Sequence, residues 1–174
     1  MRPRHSLPRV WLVTDERQGA HLLQAADRLP ERGGILFRHY SLGQVKRRDL
    51  FDAVRKRRPD ALMLLAGEPE LARQWGADGW HGLYEGRGLH SASVHGLREM
   101  RRAEASGAAL LFVSPVYPTR SHPGSSTLGP RRFQALAELA RRPVIALGGV
   151  GRTNAPKLMR LGAYGWAGVD AWLG

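Results

Sequence analysis

Cysteine is absent from this sequence of 174 residues, which excludes disulfides, zinc–thiolate sites and thiol nucleophiles. The sequence also has no run of 18 or more apolar residues, so it offers no ordinary membrane span. Residues 1–15 carry basic side chains but no apolar stretch of signal-peptide length. We therefore expect a cytoplasmic protein. No linker or low-complexity segment divides the sequence, and we expect residues 1–174 to form a single domain.

Acidic residues are few relative to basic ones. There are 27 lysines and arginines against 15 aspartates and glutamates, a formal net charge of +12. An excess of this size raises the question of nucleic-acid binding. The basic residues are spread over short clusters, however, and no helix-turn-helix, zinc-finger or RNA-recognition motif accompanies them. We interpret them as solvated helix faces and keep a nucleic-acid-associated protein as the weaker alternative.

Short apolar segments alternate with amphipathic ones, which is typical of repeated strand–helix units. Two of the apolar segments lack polar alternation, as expected for parallel strands covered on both faces. The predicted strands are Val10–Thr14, Gly34–Arg38, Ala61–Ala66, Gly79–His81, Leu89–Val94, Leu110–Ser114, Val144–Leu147 and Trp166–Gly168. The predicted helices are Ala20–Arg28, Gln44–Arg57, Glu68–Gln74, Val94–Ala105, Pro130–Arg141 and Asn154–Leu161.

Eight strands predict an α/β fold, a compact (β/α)8 TIM barrel. Such barrels usually need more than about 200 residues, so this one must be shortened somewhere. Only the seven residues 82–88 separate the fourth and fifth predicted strands, too few for a full helix. We expect the helix between those strands to be shortened or missing. The alternative is an open doubly wound sheet.

Paired glycines after the seventh strand are the strongest local signal. Gly148 and Gly149 end a buried strand immediately before a helix that starts near Asn154. Glycine lets backbone N–H groups approach an anion closely, and a helix N-terminus adds partial positive charge. One unit later, Val169 and Asp170 follow the eighth strand. Because loops after strands seven and eight often bind phosphate in barrels, we predict a phosphate site here; the alternative is a tight turn only.

A loop of about 15 residues follows the sixth strand, a length that in compact domains is usually functional or disordered. It carries Thr119, Arg120, Ser121 and His122, a combination that favours an anion clamp. The alternative is a solvated loop without a ligand.

Taken together, these segments resemble the thiamine phosphate synthase family and its relatives, the thiazole tautomerases. The matching pieces are residues 11–15, Arg38, 76–81, 93–95, 114–121, 144–150 and 162–165. The resemblance implies a barrel that joins a thiazole phosphate to a pyrimidine pyrophosphate, with Mg2+ as cofactor. It also implies that Thr119 and Ser121 hold the thiazole phosphate with the backbone of Gly148, Gly149, Val169 and Asp170, and that Arg38 faces the pyrophosphate.

Several family positions are altered. The second-strand pattern Gln-Leu-Arg-x-Lys reads Leu-Phe-Arg-His-Tyr at 36–40, and the Asn-Asp pair after the third strand reads Ala66-Gly67. The second metal-binding aspartate falls near Gly86, beside Glu85, and an expected lysine is His122. Asp170 replaces a serine, and Pro115 stands where the tautomerases have a histidine. A non-catalytic or regulatory binder of thiamine-pathway phosphates and a divergent tautomerase-like enzyme therefore stay open beside the synthase.

The resemblance makes Arg38 and His122 the predicted catalytic residues. Further site candidates lie at or beyond predicted strand ends: Asp15, His39, His81, Ser93, His95 and Asn154. Histidines in those places can transfer protons if they converge at a barrel mouth, whereas Asp15 can also cap the following helix. The partner we expect is a small phosphorylated thiazole or pyrimidine, and a homo-oligomer stays open.

Overall fold

The computed structural model describes residues 7–120, 124 and 126–173. Eight parallel strands close into a barrel in chain order, so the open doubly wound sheet is excluded. The strands are β1 Val10–Val13, β2 Gly34–Phe37, β3 Leu62–Ala66, β4 Gly79–His81, β5 Leu89–Val94, β6 Leu110–Val113, β7 Val144–Ala146 and β8 Gly165–Gly168. The α-helices are α1 Leu22–Asp27, α2 Gln44–Arg57, α3 Pro69–Trp75, α4 Leu97–Ala105, α5 Gly129–Leu139 and α6 Ala155–Arg160.

Two apolar layers hold the barrel together. The interior is filled by inward side chains such as Trp11, Leu64 and Phe112, and the rings of Trp11 and Phe112 meet edge to face at 5.3 Å. Space for the Trp11 ring comes from Gly34 on the next strand, whose added Cβ would lie 2.2 Å from that ring. The second layer lies between the strands and the outer helices. This filled interior leaves the two ends of the barrel as the places where a ligand can bind.

The outer helix between β4 and β5 is missing, as the sequence predicted. Residues 82–88 form bends without helix, and the Gly82 N–H donates to the Ser91 carbonyl at 2.9 Å. The rings of Trp80 and His90 stack at 4.7 Å on the outside of β4 and β5. Gly86 packs against the Trp80 ring, because an added Cβ would lie 3.2 Å from that ring. A short loop and one large aromatic ring thus replace a helix.

Two helix predictions need correction. The fourth helix begins at Leu97 rather than at Val94, because Val94 pairs with Val113 in the sheet and Gly96 separates strand from helix. The first helical segment is divided into a 3₁₀ helix, Glu16–His21, and the short α1. The 3₁₀ helix is itself kinked at Gly19, whose φ of 46° is not helical. In the described ranges, none of the helices is both long and apolar enough to cross a membrane.

Candidate phosphate-binding site

A cavity of about 750 Å³ opens at the carboxyl-terminal end of the barrel. Most of its lining comes from the segments that follow β6, β7 and β8, and Arg38 and His95 contribute from the ends of β2 and β5. The predicted site residues in the lining are Arg38, His95, Thr119, Arg120, Gly148, Gly149, Asn154, Val169 and Asp170. This is the end of a barrel where active sites occur.

The glycine pair after β7 adopts a conformation that other residues rarely take. Gly148 has φ 90° and Gly149 has φ 62°. A Cβ on Gly148 would lie 2.6 Å from Cα of Pro115, and one on Gly149 would lie 2.5 Å from the Pro118 carbonyl oxygen. Within the described ranges neither glycine N–H donates a hydrogen bond. Two unused donors therefore lie beside the cavity, the backbone arrangement that anions favour.

Asn154 shapes the turn that carries these glycines. Its Oδ1 accepts from the Gly151 N–H at 2.9 Å, and its Nδ2 donates to the Gly149 carbonyl at 2.8 Å. The Gly151 amide is therefore already used. Asn154 lines the cavity, but both of these bonds hold the loop between β7 and α6 in shape.

The segment between β6 and α5 forms one wall of the cavity. Its two ends are joined, since the Leu128 N–H donates to the Pro115 carbonyl at 2.9 Å and the Gly129 N–H to the Val116 carbonyl at 3.0 Å. Thr119 and Arg120 line the cavity from this wall. The other two predicted residues of the clamp, Ser121 and His122, lie outside the described residues.

Sequence reasoning missed several lining residues. They are mostly hydroxyl side chains and one arginine: Ser114, Ser126, Thr127, Thr153 and Arg132. Arg132 lies in the first turns of α5, and its neighbour Arg131 is absent from the lining. The sequence pair Arg131-Arg132 carries no signal that separates the two, because the direction of each depends on how the helix is rotated against the barrel.

Asp170 places a carboxylate at the end of β8, where an anion would meet repulsion. Its Oδ1 lies 3.6 Å from Nη1 of Arg17, which offsets part of that charge. The other ionisable side chains of the lining are Arg38, His95, Arg120 and Arg132. Three arginines against one partly compensated carboxylate make the cavity attractive to anions.

Two residues that follow β1, Thr14 and Asp15, hold the Arg38 side chain in place at the end of β2. Its Nε donates to the Thr14 carbonyl at 3.0 Å, and its Nη2 donates to Oδ2 of Asp15 at 3.0 Å. Asp15 also caps the 3₁₀ helix, so the alternative role that the sequence left open is confirmed. Partial burial opposes ionisation of Asp15, but hydrogen bonds from Arg17 and the charges of Arg17 and Arg38 hold the pKa of this carboxyl below its ordinary value.

The histidines in the described ranges do not form one cluster. His39 is buried and its Nδ1 lies 2.9 Å from the Thr14 hydroxyl, while His95 lies at the rim, paired with Glu99 at 2.7 Å. His81 points into the barrel, with Nδ1 2.8 Å from the Ser91 hydroxyl and Nε2 3.0 Å from that of Ser93. Burial lowers the pKa of His81 to about 4, and the charge of Arg38 adds to the effect. His81 is therefore neutral at pH 7 and forms a polar floor under the mouth.

The ends of β3 and β4 carry no acidic side chain. β3 ends at Ala66 and is followed by Gly67, and Gly82 follows β4. The next acidic residues along the chain, Glu68 and Glu85, are exposed. A Cβ on Gly67 would meet nothing within 4 Å, so open space surrounds this position. Arg47 of α2, which sequence reasoning also missed, reaches this edge: its Nη2 donates to the Ala66 carbonyl at 2.7 Å and its Nε to the Arg38 carbonyl at 2.8 Å.

The sequence profile described as "Thiamine monophosphate synthase" matches residues 10–172, almost the whole barrel. The chain belongs to this thiamine-phosphate synthase family. "Putative thiamine-phosphate synthase 2" of Aquifex aeolicus is 28% identical over 185 residues, which cover 96% of this chain and 98% of that protein. "Thiamine-phosphate synthase" of Salinispora arenicola is 32% identical over 186 residues, 95% of this chain and 89% of that protein.

Solved structures agree on the fold. "Thiamine phosphate pyrophosphorylase" from Pyrococcus furiosus superposes with a TM-score of 0.78 at 22% identity, covering 95% of this chain and 86% of that one. The family acts in thiamine biosynthesis, binds phosphorylated thiazole and pyrimidine substrates, and uses Mg2+. The resemblance read from the sequence is thus confirmed for family and fold.

Proposed function

We propose that this chain couples a thiazole phosphate with a pyrimidine methyl pyrophosphate at the carboxyl-terminal mouth of its barrel, forming thiamine phosphate. The observation that carries the proposal is the pair of unused N–H donors at Gly148 and Gly149 beside a cavity of about 750 Å³. Cavities of this size hold small organic ligands.

The thiazole phosphate would bind at the β6–β8 side of the mouth. Its oxygens accept from the N–H groups of Gly148 and Gly149, and Thr119 and Arg120 approach from the opposite wall. The backbone of Val169 and Asp170 closes the third side, with Ser121 assigned to the same group by position in the sequence. Backbone donors fixed before binding cost little reorganisation.

The pyrimidine pyrophosphate would bind toward β2, where Arg38 faces the cavity. The bond between the pyrimidine methylene carbon and the pyrophosphate oxygen breaks, and its electron pair leaves with the pyrophosphate. The thiazole nitrogen then forms the new C–N bond to that methylene carbon. No proton has to move in this coupling, so positioning and charge stabilisation by groups such as Arg38 carry the catalysis. His122 is assigned to the leaving pyrophosphate by sequence position alone.

A non-catalytic phosphate binder is the second candidate, favoured by the absence of a carboxylate at Ala66, Gly67 and Gly82. The two functions separate in one experiment: calorimetry with thiazole phosphate, followed by an assay for thiamine phosphate with both substrates present. Product formation supports the synthase. Binding of thiazole phosphate with a Kd below about 1 mM but without product supports the binder. Absence of binding would refute the phosphate site itself.

A further inference from the structure

Mg2+ takes oxygen ligands in near-octahedral geometry, and in phosphate sites the protein usually supplies one or two carboxylates beside waters and the phosphate oxygens. In the ranges 7–120 and 126–173, no group of three or more acidic or histidine side chains could hold a metal. Asp170 lines the cavity on the β8 side and lies 3.6 Å from Arg17. On the β2 side, Asp15 already accepts from Arg17 and Arg38. Its neighbour Glu16 accepts from the backbone and the hydroxyl of Ser41. These residues do not fit the Mg2+ that the family uses.

The other oxygen atoms at the ends of β2 and β3 are main-chain carbonyls, and a guanidinium group binds two of them. Arg47 donates to the strand-end carbonyls of Arg38 and Ala66, so these two oxygens face an internal cation. The Arg47 guanidinium is held from the side, 5.5 Å from the Trp75 ring centroid and 5.8 Å from that of Tyr40. A divalent cation on these carbonyl oxygens would be repelled by the guanidinium that already binds them.

The local charge is positive without a metal. Arg17, Arg38 and Arg47 contribute three guanidinium groups at the ends of β1, β2 and β3. They stand against the two carboxylates of Asp15 and Glu16. Guanidinium groups bind the oxygens of phosphate groups through geometrically defined hydrogen bonds. A fixed arginine pair thus supplies the kind of positive charge that a divalent cation supplies elsewhere.

We infer that this chain binds the diphosphate group of its second substrate without a divalent cation, with Arg38 and Arg47 providing the compensating charge. The inference rests on the proposed function for the identity of that substrate. It concerns the β2–β3 side of the mouth alone, so it can fail while monophosphate binding at β6–β8 stands. Arg47 supplies its charge without lining the cavity, since its described bonds go to the Arg38 and Ala66 carbonyls.

Calorimetric titration of inorganic pyrophosphate into the whole chain tests the inference. One series contains EDTA and the other contains Mg2+. We expect the two dissociation constants to agree within about twofold, and we expect Arg47→Gln to weaken binding about tenfold in EDTA, as for the loss of a charged hydrogen-bonding group. Pyrophosphate that binds at least tenfold more tightly with Mg2+, or that fails to bind in EDTA, would overturn the inference.

Arg48→Gln is the matched control. It removes the same charge one residue later on α2, where Arg48 bonds Asp52 and lies 5.6 Å from the same Trp75 ring. We expect its pyrophosphate affinity to stay within about twofold of the wild type. Equal weakening by both variants would assign the effect to general charge and overturn the role of Arg47. Titration of inorganic phosphate into Arg47→Gln measures binding at the β6–β8 side separately. We expect that affinity and the thermal unfolding midpoint to match those of the wild type, which excludes a misfolded variant.

Discussion

The two sides of the barrel mouth present different chemical groups to a ligand. On the β6–β8 side, the donors are backbone N–H groups held by glycine conformation, with hydroxyl side chains around them. On the β2–β4 side, charged side chains are bound to one another and to strand-end carbonyls, as Arg38 is to Asp15 and Arg47 to Ala66. A site made of backbone tolerates many side-chain changes, whereas a metal site is lost with one or two carboxylates.

This difference supports the proposed function, in which the β6–β8 side keeps its backbone donors while Ala66 and Gly67 stand where the family resemblance implies a metal-binding pair. The conformations of Gly148 and Gly149 are fixed by contact with Pro115 and Pro118, so the loop after β6 and the turn after β7 depend on each other. No comparable packing constrains Gly67, around which there is open space. A Cβ at Gly67 would clash with nothing within 4 Å, but the φ of 132° there still favours glycine.

We expect the largest effect on ligand affinity from Gly149→Ala, which alters the backbone donors of the β6–β8 side. The added Cβ would lie 2.5 Å from the Pro118 carbonyl oxygen at a φ of 62°. The backbone must shift to relieve this overlap, which moves the N–H donors of the turn, and we expect thiazole phosphate affinity to fall by about tenfold or more in calorimetry. Gly96→Ala is the control, because its Cβ would meet nothing within 4 Å. Affinity of Gly149→Ala within about twofold of the wild type would refute the backbone site.

Lowering the pH should reduce the stability of the protein through His81, the buried neutral histidine of β4. The pKa of His81 is lowered to about 4 by burial, so the unfolded chain binds more protons than the native one between about pH 6.5 and 4. Stability therefore falls as the pH drops through this window. We expect the free energy of unfolding to lose about 2 kcal/mol more between pH 7 and 5 in the wild type than in His81→Gln.

Urea unfolding at the two pH values measures this difference. An identical loss of stability in wild type and His81→Gln would show that His81 does not titrate in this window.

Arg38→Gln tests whether the charged side acts separately from the backbone side. Since Arg38 faces the cavity from the end of β2, we expect pyrophosphate affinity to fall about tenfold and thiazole phosphate affinity to change less than about twofold. Arg98→Gln, on the exposed surface of α4, controls for the loss of one positive charge. An equal loss of both ligands would mean that the two sides form one site.

The smallest expected effect comes from Arg132→Gln. Its guanidinium lines the cavity, but a partly exposed charge contributes little in water. We expect thiazole phosphate to bind about threefold more weakly at low ionic strength, and the difference to shrink at high salt. Arg131→Gln, the neighbour outside the lining, should have no measurable effect. A larger effect for Arg131 than for Arg132 would contradict the orientation of α5.

Sequence patterns predicted the barrel well because its strands are short apolar runs with clear ends. Each of the eight strands lies within one residue of its predicted bounds, and the gap at 82–88 correctly indicated a missing helix. The glycine pair of the mouth was recognisable for a related reason, since both a tight turn and an anion site between a strand and a helix favour glycine. Phosphate binding by Gly148 and Gly149 stays a prediction.

Side-chain direction could not be predicted in the same way. Arg47 lies in the run Lys46-Arg47-Arg48, and nothing in that run distinguishes the residue that turns toward β3. His81 ends a strand of three residues, too short for alternation to show that it points inward. These directions depend on how helices and strands are rotated in the closed barrel, which the order of residues alone does not specify.

A crystal structure of the chain grown with thiazole phosphate and pyrophosphate in EDTA would test the two-sided mouth most directly. We expect the thiazole phosphate within hydrogen-bonding distance of the amide nitrogens of Gly148 and Gly149, and the pyrophosphate beside Arg38 with no metal between them. A phosphate bound away from Gly148 and Gly149, or a pyrophosphate that occupies the mouth only after Mg2+ is added, would contradict this description.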